Sequence, residues 1–165
     1  APTAGLHFTP KLIQKIEKKG IKIVPVILHI GLGTFRPVEV EDLTKHKMDS
    51  EFFEISQKSA DVINKALTGK RNVFVVGTST TRALETSVTA EGFVKANRGW
   101  TDKFIYPPYE FKIVKKLITN FHMPESTLIM LAAAFADTDL LMKSYKKAIK
   151  EGYRFLSYGD AMLVI

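Results

Sequence analysis

NVFVVGTSTTRALETSV, residues 72–88, decides the fold class. NVFVVG is β-branched and aromatic and ends on a glycine, which is the pattern of a buried strand. TSTTRALETSV follows without a linker, with hydroxyl residues and an arginine where a helix would start. A strand feeding directly into a helix is the repeating step of an α/β sheet.

The same alternation extends in both directions. Upstream, a helix is expected over 10–19, capped by Thr9, with Pro10 in its first position and Gly20 ending it. IKIVPVILHI, residues 21–30, reads as a buried strand in which Pro25 argues for an edge or a bulge. GLGTFRP (31–37) reads as a loop, EDLTKHK (41–47) as a short helix, FFEI (52–55) as a strand, and 57–67 as a helix capped by Ser56. Downstream, WTDKFIYPPYEF (100–111) reads mostly as loop and IVKKLITNF (113–121) as a strand. Helices follow at 125–136 and 139–151, and the end of YRFLSYGDAMLVI closes as a strand. The expected fold is α/β: a largely parallel sheet with flanking helices, open or closed like a TIM barrel, in one domain over 1–165.

In such folds sites form at the carboxyl ends of strands. That rule selects His29, then Gly77, Thr78 and Ser79, then Asn120 and His122. His7, in APTAGLHF, fits the same pattern, but the strand that should precede it is absent. The chain therefore reads as the C-terminal part of a longer protein; the competing reading is a mature N-terminus lacking its initiator Met.

Composition narrows the chemistry. Of 165 residues 45% are hydrophobic and 25% charged, the mix of a globular domain. The longest apolar run, LIMLAAAFA (128–136), falls short of the roughly 20 residues that span a bilayer. No signal peptide is visible, and a cytoplasmic protein is expected. The absence of cysteine rules out thiolate, disulfide and zinc-ribbon chemistry. The four histidines lack metal-ligand spacing, so no metal is expected. A net charge of +7 suits a polyanion such as RNA, or simply a lysine-rich surface.

Several stretches are chemically suggestive, and each has a plainer reading. TNFHMPEST (119–127) sets His122 and Pro124 before the apolar run, so the first turn of that helix offers N–H groups to an electron-rich ligand, or is an ordinary cap. VVGTSTTR (75–82) offers hydroxyls, amides and Arg82 to a carboxylate, phosphate or ribose, or is a plain strand-to-helix turn. HIGLGTFRP has GxG without GxGxxG, with Arg36 placed to meet an anion. In GWTDKFIYPPYEF the aromatics, Tyr106 among them, either stack on unpaired bases or pack a long loop, and Asp102 is an acid/base candidate or a turn residue. SYGDAM brings Tyr158 and Asp160 beside a glycine, for a ligand or for a turn.

Their order along the chain is more specific than any one of them. APTAGLHFT, HIGLGTFRPV, VGTSTTRALE, GWTDKFIYPPYEFK, TNFHMPESTL and YRFLSYGDAM together resemble the S-adenosylmethionine:tRNA ribosyltransferase-isomerase family of queuosine biosynthesis. Two positions depart from it: YPPY, with Pro108, stands for YPGY, and HKMDSE, with Asp49, stands for HKMHSE. The family protein is about twice as long, so the resemblance implies that an inserted β-barrel domain and the opening of the α/β domain lie upstream. It implies transfer and isomerisation of the ribosyl part of S-adenosylmethionine onto 7-aminomethyl-7-deazaguanine at the tRNA wobble position. Epoxyqueuosine forms; adenine and methionine leave. S-adenosylmethionine is then a consumed substrate, no cofactor is needed, and the expected partner of a monomeric enzyme is the tRNA anticodon loop.

The roles implied are these. His7, His29 and His122 supply acid/base capacity. Thr78, Ser79 and Arg82 hold the methionine carboxylate or ribose hydroxyls. Tyr106 stacks on a base, and Asp102, Asn120, Tyr158 and Asp160 hydrogen-bond the substrates. Two rival classes are a non-catalytic RNA-binding module and a methyltransferase using S-adenosylmethionine; the latter usually needs an acidic glycine-rich turn, which GLGTF lacks.

Overall fold

The computed structural model describes residues 2–35 and 37–165. Arg36 lies outside them. A 3-10 turn, Thr3–His7, leads into α1, Pro10–Lys18. Thr9 caps it: its Oγ1 accepts from the Leu12 N–H at 3.2 Å. Pro10 occupies the first position, where its missing N–H goes unneeded.

The apolar run 21–30 yields much less strand than expected: β1 is Ile27–His29, and Ile21 and Ile23 are exposed. Pro25 has no N–H to give a ladder, and pairing starts two residues beyond it. β1 is an edge strand, as a proline there favours. A 3-10 turn, Leu32–Phe35, follows, and Gly33 is required in it, because the Asp49 side chain fills the space a Cβ would take. EDLTKHK forms a 3-10 turn at Leu43–Lys45. β2 is Glu51–Ile55, and α2 is Gln57–Thr68, capped by Ser56 as expected.

β3 is Val75–Val76 and α3 is Thr78–Thr86. β4, Asn97–Thr101, is a strand where loop was expected for its last two residues. Asn97 and Gly99 are poor strand formers; the segment pairs because FFEI lies alongside, with Phe52 opposite Trp100 and Ile55 opposite Asn97. β5 is Leu117–Asn120, α4 Thr127–Ala136, α5 Thr138–Lys150 and β6 Ala161–Val164.

The strands form two three-stranded sheets, β1-β2-β4 and β3-β5-β6. The first is antiparallel throughout; in the second β3 and β5 run parallel and β6 antiparallel to β5. The α/β class holds. The largely parallel or barrel-like sheet does not: among the described residues parallel pairing is confined to β3 and β5. Phe53, Ile55, Ile63, Val75 and Leu84 make the main core between the first sheet, α2 and α3. The apolar α4 packs on α5 and β5 through Phe121, Ala132, Leu141 and Tyr145. No described helix is long and apolar enough to cross a membrane.

Candidate active site

The parallel pair sets the position of the site. Val75 lies opposite Leu117 and Val76 opposite Ile118, and the Gly77 N–H donates to Ile118 O at 2.8 Å. The two strands therefore end side by side. A cleft of about 160 Å³ opens there, lined by Thr78, Ser79 and Thr80 from α3 and by Thr119, Asn120 and His122 from β5 and its turn. Leu28, Ile30 and Thr34 reach it from the other sheet's side.

The two helix ends near the cleft differ. α4 is capped by its own Ser126, whose Oγ accepts from the Ile129 N–H at 3.2 Å and donates to Met123 O at 2.8 Å. Pro124 lies before this cap rather than in the helix. α3 starts from Gly77, at φ +92° and ψ 148°, and has no side-chain cap. An L side chain is strained at that φ, so a glycine is required. The first-turn N–H groups of Thr78, Ser79 and Thr80 are thus left without a side-chain acceptor.

His122 is 8% exposed. Its Nε2 bonds Thr119 Oγ1 at 2.9 Å, and its backbone N–H donates to Tyr145 Oη at 2.9 Å. Burial pushes its pKa down from 6.5 to about 4, so the imidazole is neutral at pH 7. It faces the cleft as a hydrogen-bonding group and a weak base. His7 stands behind Asn120, whose Nδ2 meets His7 Nε2 at 3.2 Å and donates to Leu156 O at 3.1 Å. The Leu156 carbonyl can only accept, so the amide nitrogen must face it. His7 Nε2 is then the acceptor, and the His7 ring proton sits on Nδ1.

Thr78, Ser79, Asn120 and His122 thus converge, with His7 one bond behind; the other expected site residues do not join them. Arg82 lies off the cleft lining. It is 2% exposed and spends its fork on structure: Nη1 on Glu51 Oε2 at 2.8 Å, Nε on Lys103 O at 2.9 Å, and Nη2 on Thr101 O at 3.1 Å. Burial lowers its pKa, and the Glu51 carboxylate opposes that shift. Such a guanidinium has little left for a substrate carboxylate. His29 also lies off the cleft lining. Strand alternation sends Leu28 toward the cleft and His29 to the outer face, where it is exposed and meets Phe52 edge-on at 5.1 Å.

Asp102 is exposed and outside the cleft, and Tyr106 packs on Phe104 at 4.7 Å. Tyr158 is 87% exposed. Asp160 ties its own turn, accepting from the Arg154 N–H at 2.7 Å and from Arg154 Nη2 at 3.2 Å; these bonds hold its pKa down.

Sequence reading missed the groups that hold the cleft in shape. Glu51 Oε1 accepts from the Gly31 N–H at 3.0 Å and from Thr34 Oγ1. Thr34 O in turn accepts from Thr127 Oγ1 at 3.2 Å. Glu85 accepts from the N–H groups of Lys112, Ile113 and Val114 and from Tyr109 Oη, fastening the aromatic loop to α3. Burial, with Glu85 adding to it, pushes the Tyr109 pKa up to about 12.

Residues 1–164 match the family model described as queuosine biosynthesis protein. The chain belongs to the queuosine biosynthesis protein family. Relatives named S-adenosylmethionine:tRNA ribosyltransferase-isomerase include one from Cytophaga hutchinsonii, 60% identical over 165 residues, covering all of this chain and 47% of the relative. Another, from Clostridioides difficile, is 54% identical over 164 residues, covering 99% of this chain and 48% of the relative. The crystal structure of S-adenosylmethionine tRNA ribosyltransferase from Thermotoga maritima superposes with a TM-score of 0.79 at 41% identity, over 98% of this chain and 51% of that one. The chain thus spans about half the length of the queuosine biosynthesis proteins it matches.

Proposed function

We propose that the protein is an S-adenosylmethionine:tRNA ribosyltransferase-isomerase, and that residues 1–165 are the C-terminal portion of its single α/β catalytic domain. It transfers and isomerises the ribosyl moiety of S-adenosylmethionine onto 7-aminomethyl-7-deazaguanine at the wobble position of tRNA. Epoxyqueuosine is the product; adenine and methionine are released. S-adenosylmethionine is consumed, and no separate cofactor enters. The anticodon loop is the macromolecular partner, and the enzyme works as a cytoplasmic monomer.

The observation that carries this reading is the convergence of three separate motifs on one cleft in a chain matched end to end by the family. VGTSTTR supplies Thr78 and Ser79, TNFHMPEST supplies Asn120 and His122, and APTAGLHF supplies His7 behind Asn120. The sulfonium acidifies the ribose C5′ hydrogens, so a positioned base starts the rearrangement. His122 lines the cleft and is the histidine proposed to act there, while His7 acts through Asn120. His122, neutral and buried, suits hydrogen bonding to the departing adenine or the ribose. The single-stranded loop lets the target base swing out of its stack.

The test incubates the full-length form with S-adenosylmethionine and tRNA carrying the aminomethyl base. Stoichiometric adenine and methionine, with epoxyqueuosine in the digested tRNA, are expected. S-adenosylhomocysteine instead would mark a methyltransferase, and tRNA binding without consumption of S-adenosylmethionine a binding module.

A further inference from the structure

Asn120 carries an unexplained atom. The residue is 2% exposed, and its Nδ2 spends both hydrogens, on Leu156 O and His7 Nε2. That orientation turns Oδ1 the other way, where it is the buried side-chain polar atom without a hydrogen-bond partner among the described residues. A buried acceptor left without a donor is costly, and native structures seldom keep one without a use. Beside it lies the uncapped amino end of α3, a nine-residue helix. The Gly77–Ile118 bond places that helix start next to Thr119 and Asn120, and both line one cleft.

The lining sets the charge of the occupant. Among the described residues it includes no Asp, Glu, Lys or Arg. Among those residues a lone anion at the helix end would have no counter-charge, and a lone cation no carboxylate. A group that is neutral overall, yet offers an anion to the helix and a donor to the amide oxygen, satisfies both. An α-amino acid does so on a single carbon. A ribose diol offers the helix only uncharged oxygens, which gain less from its N–H groups. An adenine amino group brings no anion.

We propose that Asn120 Oδ1 and the amino end of α3 form a seat for the α-amino-carboxylate of the methionyl moiety. The first-turn N–H groups and the Ser79 hydroxyl take the carboxylate; Oδ1 accepts from the ammonium. His7 is a positioning residue, holding the amide so that its oxygen is presented. The assignment rests on the proposed use of S-adenosylmethionine and adds which end of it lies where.

The test measures equilibrium binding to the full-length form of S-adenosylmethionine, its decarboxylated analogue, and a des-amino analogue with hydrogen in place of the α-amine. Each analogue should bind wild type at least about tenfold more weakly, the worth of one charge-assisted hydrogen bond. Asn120→Leu should weaken S-adenosylmethionine by a similar factor and leave the des-amino analogue within about twofold of its wild-type affinity. Equal weakening of both ligands by Asn120→Leu, or a des-amino analogue that binds wild type as tightly as S-adenosylmethionine, overturns the seat. If Asn120→Leu does not fold, as its melting curve will show, the wild-type ligand series decides alone. Wild type that neither binds nor consumes S-adenosylmethionine sinks the ribosyl-transfer reading itself; binding and turnover indifferent to the α-amine sink only the seat.

Discussion

A histidine sealed in a wall reports on acid as well as on substrate. The pKa of His122 lies near 4 in the folded chain and near 6.5 when exposed, because burial penalises the imidazolium. The unfolded chain therefore binds the proton first. The stabilisation is complete above about pH 6.5 and is lost as pH falls toward 4, reaching about 3 kcal/mol. Denaturant melts between pH 7 and 4 should show this loss, and His122→Gln should flatten that part of the profile. Arg82 makes a different prediction. Removing it leaves Glu51 buried without its partner, so Arg82→Ala should cost about 3–5 kcal/mol in a urea melt. Arg82→Lys should recover only part, since a single ammonium cannot reproduce a fork shared among Glu51, Lys103 O and Thr101 O. Folded Arg82→Lys should keep its KM for S-adenosylmethionine within about threefold, as expected of a group that acts on structure. From sequence, VGTSTTR displayed this arginine but hid its partner, which stands 31 residues upstream at the start of a different strand. Nothing local marks such a pair.

At the scale of elements, the helix ends carry the argument. Ser126→Ala should cost about 1 kcal/mol, the usual value of an N-cap, because the Ile129 N–H loses its acceptor. Gly77→Ala should cost more, about 1–3 kcal/mol, since φ +92° is strained for any side chain. Thermal melts of the two variants should rank them in that order. Helices were readable because their signals are local: Thr9 and Pro10 at one start, Ser56 at another. Strands were less so. The run around Pro25 reads as ten residues and forms three, since its length depends on what pairs with it. NRGWT forms a strand despite Asn97 and Gly99 because β2 offers an open edge. The cleft's lining was legible in the motifs ending on parallel strands, VGTSTTR and TNFH. His29 does not join it, because its strand is antiparallel and alternation turns the ring outward.

For the whole molecule, a net charge of +7 bears on the proposed tRNA partner. Lysines and arginines that meet phosphates release counterions, so affinity should fall steeply with salt. Filter binding with the full-length form should weaken at least about tenfold between 50 and 200 mM salt, as about two phosphate contacts already require. Thr34 has a wider consequence. It is gripped by Glu51 of the first sheet on one side and by Thr127, at the head of α4 beside the second sheet, on the other. Loosening either sheet costs one of the bonds to that residue. The two should therefore melt together: fluorescence from the lone tryptophan, Trp100 in β4, and exchange of β5 amide protons should report the same midpoint.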